Sequence, residues 1–171
     1  MLFFKNILCV AILSIFSGLT AFADEVPRPV GDIILRLSGE ITNTNTDDGR
    51  LELDLAMLQE MPVTTFKTNT IWLEKAVEFT GVNLKEILDY AGASGTLIHA
   101  ITLNDYKVDI PAGMGDVDAP MVAYHIDGEI MSVREKGPLW VVYPYDQDAK
   151  YRTEVIYSRS IWQLDRLTSV Q

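Results

Sequence analysis

Cysteine is all but absent: the 171 residues hold one, Cys9, inside an apolar run at the N-terminus. Histidine is nearly as scarce, with two. Basic residues are outnumbered, 14 Lys and Arg against 24 Asp and Glu, for a formal net charge of −10. Each shortage excludes something. Without cysteines downstream of residue 9 there is no disulfide, zinc–thiolate or haem–thiolate site, iron–sulfur cluster or cysteine nucleophile there. The acidity disfavours nucleic acid and anionic membrane surfaces, which repel a negative chain. The longest apolar run, Ile7 to Phe16 with Cys9 and Ser14 in it, falls short of the ~20 residues a bilayer requires. Gly-x-Ser-x-Gly, a phosphate-binding Gly-rich loop and a dinucleotide fingerprint are all missing.

The first 23 residues have three parts: Lys5, the apolar run, and Ser17, Gly18 and Thr20 leading to Ala21-Phe22-Ala23. This is the order of a signal peptide, with cleavage expected before Asp24. Cys9 lies inside the run and not at its end, which argues against a lipidated cysteine. Residues 24–171 are then one exported domain of 148 residues, long enough for a substantial core. Because the leader holds one Lys and no acid, 13 basic residues remain against 24 acidic ones, a net charge of −11.

Along that domain, Asp32–Ile41 has strand character and Asn43–Arg50 is a polar turn. Leu51, Leu55, Leu58 and Met61 fit a short helix closed by Pro62. Thr64–Trp72 reads as a strand. Leu84, Ile87, Leu88 and Ala91 form one face of a helix that Asn83 can cap and Gly92 can stop. The second half is mostly strand: Leu97–Leu103, a turn at Asn104-Asp105, and Tyr106–Ile110. A Gly- and Asp-containing loop over 112–119 follows, then a hairpin of Met121–Ile126 and Ile130–Val133 about Asp127-Gly128. Leu139–Tyr143 is a buried strand between Pro138 and Pro144, with Trp140 and Val142 on one face and Val141 and Tyr143 on the other. Asp146–Thr153 is a charged loop, and Ile161–Leu167 closes the chain. Strands outnumber helices and do not alternate with them, so the expected class is α+β, a single compact mixed-sheet domain.

His99 and His125 each stand alone in a strand, without metal-ligand spacing. Asp116 and Asp118 lack the spacing of an EF-hand and suit a turn. The aromatic residues late in the chain are more telling. Trp140, Tyr143, Tyr145, Tyr151, Tyr157 and Trp162 are interleaved with Asp146, Arg152 and Arg159, and Trp72 and Tyr106 add two more beside turns. Core packing accounts for some of them. As a set they also have the chemistry of a pocket for a flat, polar heterocycle, in which aromatic faces stack and carboxylates accept ring N–H groups.

The order of motifs carries a resemblance. Phe79-Thr80-Gly81-Val82-Asn83-Leu84, followed by Leu88 and Ala91-Gly92-Ala93, resembles the "W/F-x-G-V-x-L…LL…AGA" core of the oxidoreductase molybdopterin-binding domain, the domain of sulfite oxidases. Asn104-Asp105-Tyr106 with Ile110-Pro111, Ala123 and Asp127-Gly128 resembles the "NDY…IP…LA…DG" stretch that follows. Lys136-Gly137-Pro138-Leu139-Trp140 through Pro144 is similar to "HGyPLR-x-x-x-P", and Ser158–Leu164 to the closing strand of single-domain members. The likeness runs over residues 32–170 and implies the sulfite oxidase type of α+β fold.

The departures bear on function. The enzymes of that family hold molybdenum through a cysteine at a position that falls near Thr68, and a hydroxyl does not replace a soft thiolate ligand. The arginine of "HGyPLR" is Trp140 here, and the family's late basic residue, which helps hold the cofactor's phosphate, is replaced around Trp162; an aromatic side chain does not hold a phosphate. An exported, cysteine-less version of the domain resembles the PruR-type periplasmic pterin-binding regulators. That resemblance implies a reduced pterin as ligand, without molybdenum or catalysis. It also implies a partner, the periplasmic domain of a membrane-bound enzyme that makes or degrades cyclic di-GMP (a diguanylate cyclase or phosphodiesterase). The implied roles are stacking by Trp72, Tyr143 or Trp162, with Tyr106 nearby. Asp105 or Asp146 would read the guanidine-like edge of the pterin, and Arg159 its carbonyl. Two other readings stay open: a molybdopterin-dependent oxidoreductase with a non-cysteine metal ligand, and a partner-binding domain with an empty pocket.

Overall fold

The computed structural model describes residues 26–113 and 120–171. The leader and the two aspartates of the 112–119 loop therefore lie outside the described residues. The elements run β1 (Ile33–Gly39), β2 (Leu51–Asp54), α1 (Leu55–Glu60), β3 (Val63–Thr68), β4 (Val77–Asn83), α2 (Leu84–Ala91) and β5 (Leu97–Thr102). They continue with β6 (Lys107–Pro111), β7 (Met121–Ile126), β8 (Glu129–Ile130), β9 (Trp140–Val142), α3 (Glu154–Arg159) and β10 (Leu164–Val170). Single 3₁₀ turns sit at Val133–Glu135 and Ala149–Tyr151.

Two five-stranded sheets result. One has the order β2-β1-β10-β5-β6, in which β1 and β10 are parallel and the other pairs antiparallel. The other has the order β3-β4-β7-β8, with β9 also on β7, antiparallel throughout. The main core contains Leu35, Leu37, Leu51 and Leu53 from the first sheet, Val82, Val122 and Val141 from the second, and Tyr143 just after β9. It therefore lies between the sheets. The apolar stripe of α2, Leu84, Ile87, Leu88 and Ala91, joins this core.

A second cluster of Val77, Phe79, Met121, Ala123, Met131, Trp140 and Val142 covers the other face of β4-β7-β9. The second sheet is thus buried on both faces at its centre, which explains why LWVVY is apolar without interruption. The alternation expected of that strand is observed, with Val141 and Tyr143 in one cluster and Trp140 and Val142 in the other. The class is α+β, with three α-helices among the described residues.

Local chemistry accounts for the boundaries. Asn83 caps α2 by accepting from Lys85 N at 2.9 Å, and Gly92 ends it in the left-handed region at φ 61°. The Asp127-Gly128 turn has positive φ at both residues, 49° and 84°, the geometry of a two-residue hairpin.

Three expectations need correction. The helix expected from Leu51 begins only at Leu55. Leu51 and Leu53 alternate into the core and pair with β1, and Asp54 then starts the helix by accepting from Met57 N at 2.9 Å. The strand expected to reach Trp72 stops at Thr68, because 69–75 turns back. Helix α3, unforeseen, has a single buried apolar residue, Ile156, too little for a readable period; Thr153 caps it.

Candidate functional site

Four segments meet at the mouth of the aromatic region. After β3 the chain turns at Thr70, whose hydroxyl accepts from Trp72 N at 3.2 Å and Leu73 N at 3.0 Å. This fixes the Trp72 backbone and directs its ring inward. The ring makes edge-on contacts with Trp140, Tyr145, Tyr157 and Trp162 at centroid distances of 5.7, 6.3, 5.9 and 5.9 Å. These are the tilted geometries that aromatic quadrupoles favour. Trp140 is fully buried on β9 and donates its indole N–H to Ser160 O at 3.2 Å. Tyr145 donates its hydroxyl to Ser160 Oγ at 2.7 Å, and burial pushes that phenol up to about 12.

Over this base lies a cleft of about 370 Å³, lined by Trp72, Thr102, Asn104, Tyr106, Tyr157, Ser158, Ser160, Ile161, Trp162 and Gln163. Its volume falls in the ~300–1,000 Å³ range of small-molecule sites. Apart from Ile161 the lining is aromatic or neutral polar, without a charged side chain. The β5–β6 turn contributes Thr102, whose hydroxyl donates to Asn104 Oδ1. Gln163 donates its side-chain amide to Val133 O at 2.8 Å.

Backbone strain is concentrated at this mouth. Four non-glycine residues among those described have positive φ: Asp105 (64°), Asp127 (49°), Lys136 (76°) and Gln163 (55°). Asp127 turns the hairpin; the other three surround the cleft and are linked by backbone bonds. Gln163 N donates to Lys136 O at 3.1 Å, and Leu103 N, two residues before Asp105, donates to Gln163 O at 2.9 Å. Such left-handed residues persist only where the surrounding structure over-determines them, and they concentrate at functional sites. Gly137 follows Lys136 because a Cβ there would lie 1.9 Å from Met131 O.

The expected site residues separate into two groups. Trp72, Tyr106 and Trp162 come together in the cleft, from the 69–75 turn, the β5–β6 turn and the segment before β10. Asp105 stands at the rim, but its carboxylate turns to Arg166 and does not line the cleft. Tyr143 does not line the cleft: its side chain is fully buried in the core between the sheets, where burial raises its pKa. Asp146 is also elsewhere. It accepts from Asn69 N at 2.7 Å and Asn69 Nδ2 at 2.9 Å, and these bonds hold its carboxyl below the usual range. Its own N–H donates to Thr68 Oγ1 at 3.0 Å, so it fastens the end of β3 to the loop after β9. Arg159 donates from Nε to Asp109 O at 3.0 Å, joining α3 to β6.

Sequence reasoning did not single out Thr102, Asn104, Tyr157, Ser158, Ser160, Ile161 or Gln163 as lining residues. Tyr157 belonged to the aromatic series and was the readable one. Gln163 carries no signal, since its position depends on a left-handed backbone.

Thr68 is buried at the end of β3 and outside the cleft lining. His99 pairs through Nδ1 with Asp109 Oδ1 at 2.7 Å across β5–β6, and His125 packs against Tyr124. Among the described residues no three His, Cys, Asp or Glu side chains converge as a metal site would require. No helix among them is long and apolar enough to cross a membrane. No protein-family model matches the chain, and neither does any curated protein.

Proposed function

We propose that this is a ligand-binding α+β domain whose cleft takes a flat, uncharged heterocycle. The observation that carries the reading is the lining itself. Trp72, Tyr106, Tyr157 and Trp162 offer ring surfaces while Thr102, Asn104 and Gln163 offer neutral donors and acceptors, and no charged group stands among them. A phosphate or carboxylate would enter with nothing to pair it, in a chain of formal net charge −10.

Within that class the particular ligand we propose is a reduced, unphosphorylated pterin, with the fold of the sulfite oxidase molybdopterin-binding type and a role like that of the PruR-type periplasmic regulators. The motif order over residues 32–170 supports this, as does the absence of a cysteine at Thr68. The domain would then relay pterin binding to the periplasmic part of a membrane-bound enzyme of cyclic di-GMP metabolism and carry out no chemistry itself. Asn104 and Gln163 replace Asp105 and Asp146 as the groups placed to read the polar edge of the ring, since both line the cleft.

Anaerobic titration of the purified protein with 7,8-dihydroneopterin, followed by tryptophan quenching and calorimetry, tests this. One-to-one binding is expected, weakened tenfold or more in Trp162→Ala. Absence of binding with the protein folded, or stoichiometric molybdenum in the purified protein, would overturn it.

A further inference from the structure

Lys136 occupies an unusual position. Its ammonium lies 4.0 Å from the centroid of the Trp162 ring and 5.3 Å from that of Trp140. It makes no ion pair and no side-chain hydrogen bond among the described residues, so two π-systems are its only resolved partners. It is half-buried, and the loss of water lowers its pKa. Desolvation of this kind strengthens a cation–π contact. The placement is enforced by the backbone: Lys136 is left-handed at φ 76°, its carbonyl accepts from Gln163 N, and Gly137 N donates to Ser132 O at 2.7 Å.

Lys136 does not line the cleft. It lines the adjacent groove, with Leu73, Val77 and Ile130, whereas Trp162 lines the cleft. Trp162 therefore both lines the cleft and carries the Lys136 ammonium against its ring. A cation on one face of an indole draws π-density towards itself and leaves the remainder of the ring less negative. A less negative ring stacks better on an electron-rich partner and worse on an electron-poor one.

We propose that Lys136, acting through the Trp162 ring, is the specificity-determining residue that makes the cleft prefer electron-rich heterocycles over their oxidised, electron-poor counterparts. This rests on the ligand-binding reading of the cleft and sharpens it. The preference for a reduced ring would arise from one ammonium held on the stacking tryptophan, without any hydrogen bond that distinguishes the two redox states.

The test compares affinities for 7,8-dihydroneopterin and neopterin, and separately for indole and quinoxaline, in the wild type, Lys136→Met and Lys136→Arg. Methionine keeps the apolar stem and meets the same backbone strain as lysine, so matched thermal melts are expected. The ratio of affinities should favour the electron-rich member of each pair, fall roughly three- to tenfold in Lys136→Met and be retained in Lys136→Arg, as a cation–π effect of this order requires. Dihydroneopterin binding with an unchanged ratio in Lys136→Met would overturn the role of Lys136 and leave the pterin reading standing. A Lys136-dependent ratio for indole and quinoxaline, with no pterin bound, would keep the role of Lys136 and overturn the pterin. Failure of every ring to bind would overturn both.

Discussion

Trp72→Ala removes the ring on which the aromatic site is assembled. Four ring pairs meet at Trp72, at centroid distances of 5.7 to 6.3 Å. Each such pair contributes ~0.5–1.5 kcal/mol beyond its buried area. A fully buried Trp→Ala change costs about 3–5 kcal/mol. Trp72 is half-buried and borders the cleft, into which water enters without leaving a dry void, so the lower part of that scale applies. The expected loss is about 2–3 kcal/mol, which for a domain of this size lowers Tm by roughly 4–12 °C. Far-UV circular dichroism melts measure it without depending on the deleted fluorophore. Ile71→Ala is the control. Ile71 adjoins Trp72 but is 62% exposed, and its removal should change stability by less than about 0.5 kcal/mol. A loss below about 0.5 kcal/mol for Trp72→Ala, or an equal loss for Ile71→Ala, would refute the view that the 69–75 turn is held by its tryptophan.

Two adjacent tyrosines should respond oppositely to loss of a hydroxyl. Tyr143→Phe should be neutral or stabilising and leave ligand affinity unchanged, because the buried Tyr143 hydroxyl has no hydrogen-bond partner among the described residues. Tyr145→Phe should cost about 1 kcal/mol, because its hydroxyl donates to Ser160 in a buried setting; urea unfolding compares the two. Asp54 accepts from Met57 N, Gly31 N and Val30 N, bonds that hold its carboxyl below the ordinary carboxylate range. Its contribution is therefore complete above about pH 4 and is lost as pH falls through the depressed folded value, so Asp54→Asn should flatten the acid limb of a Tm–pH profile. Asp146→Ala frees the end of β3 and should increase amide exchange at Asn69 while altering pterin affinity less than twofold, since Asp146 lies outside the cleft lining.

The sequence was legible where a local rule had no competitor. Helix α2 could be read because its apolar period, Asn83 cap and Gly92 stop agree. Strand β9 could be read because proline bounds it on both sides and its alternation fits a sheet buried on both faces. Leu51–Met61 misled because apolar residues at 51, 55 and 58 satisfy a helical period. Pairing with β1, which no local pattern reports, took the first four residues. The site followed the same division. Trp72, Tyr106 and Trp162, which line the cleft, were conspicuous because an aromatic residue beside a turn has few reasons to be there. That Tyr143 and Asp146 stand outside the cleft lining was not legible, because residue type does not reveal which face of a strand, or which loop, a side chain serves. Gln163 and Lys136 were hidden because their roles depend on positive φ, a property of the folded backbone without a compositional mark.

The parallel pairing of β1 with β10 has a consequence for how this protein comes into being. Strand β10, the last in chain order among the described residues, lies in the middle of its sheet, with β2-β1 on one side and β5-β6 on the other. Until residues 164–170 are available, those four strands are two separate ribbons, and an isolated two-stranded ribbon is marginal in water. The first sheet therefore closes only when β10 joins β1 across the long stretch of chain between them. That loop costs entropy and slows folding. Before β10 joins, the chain would consequently remain open at this sheet. Removal of the final strand would divide the sheet at its centre.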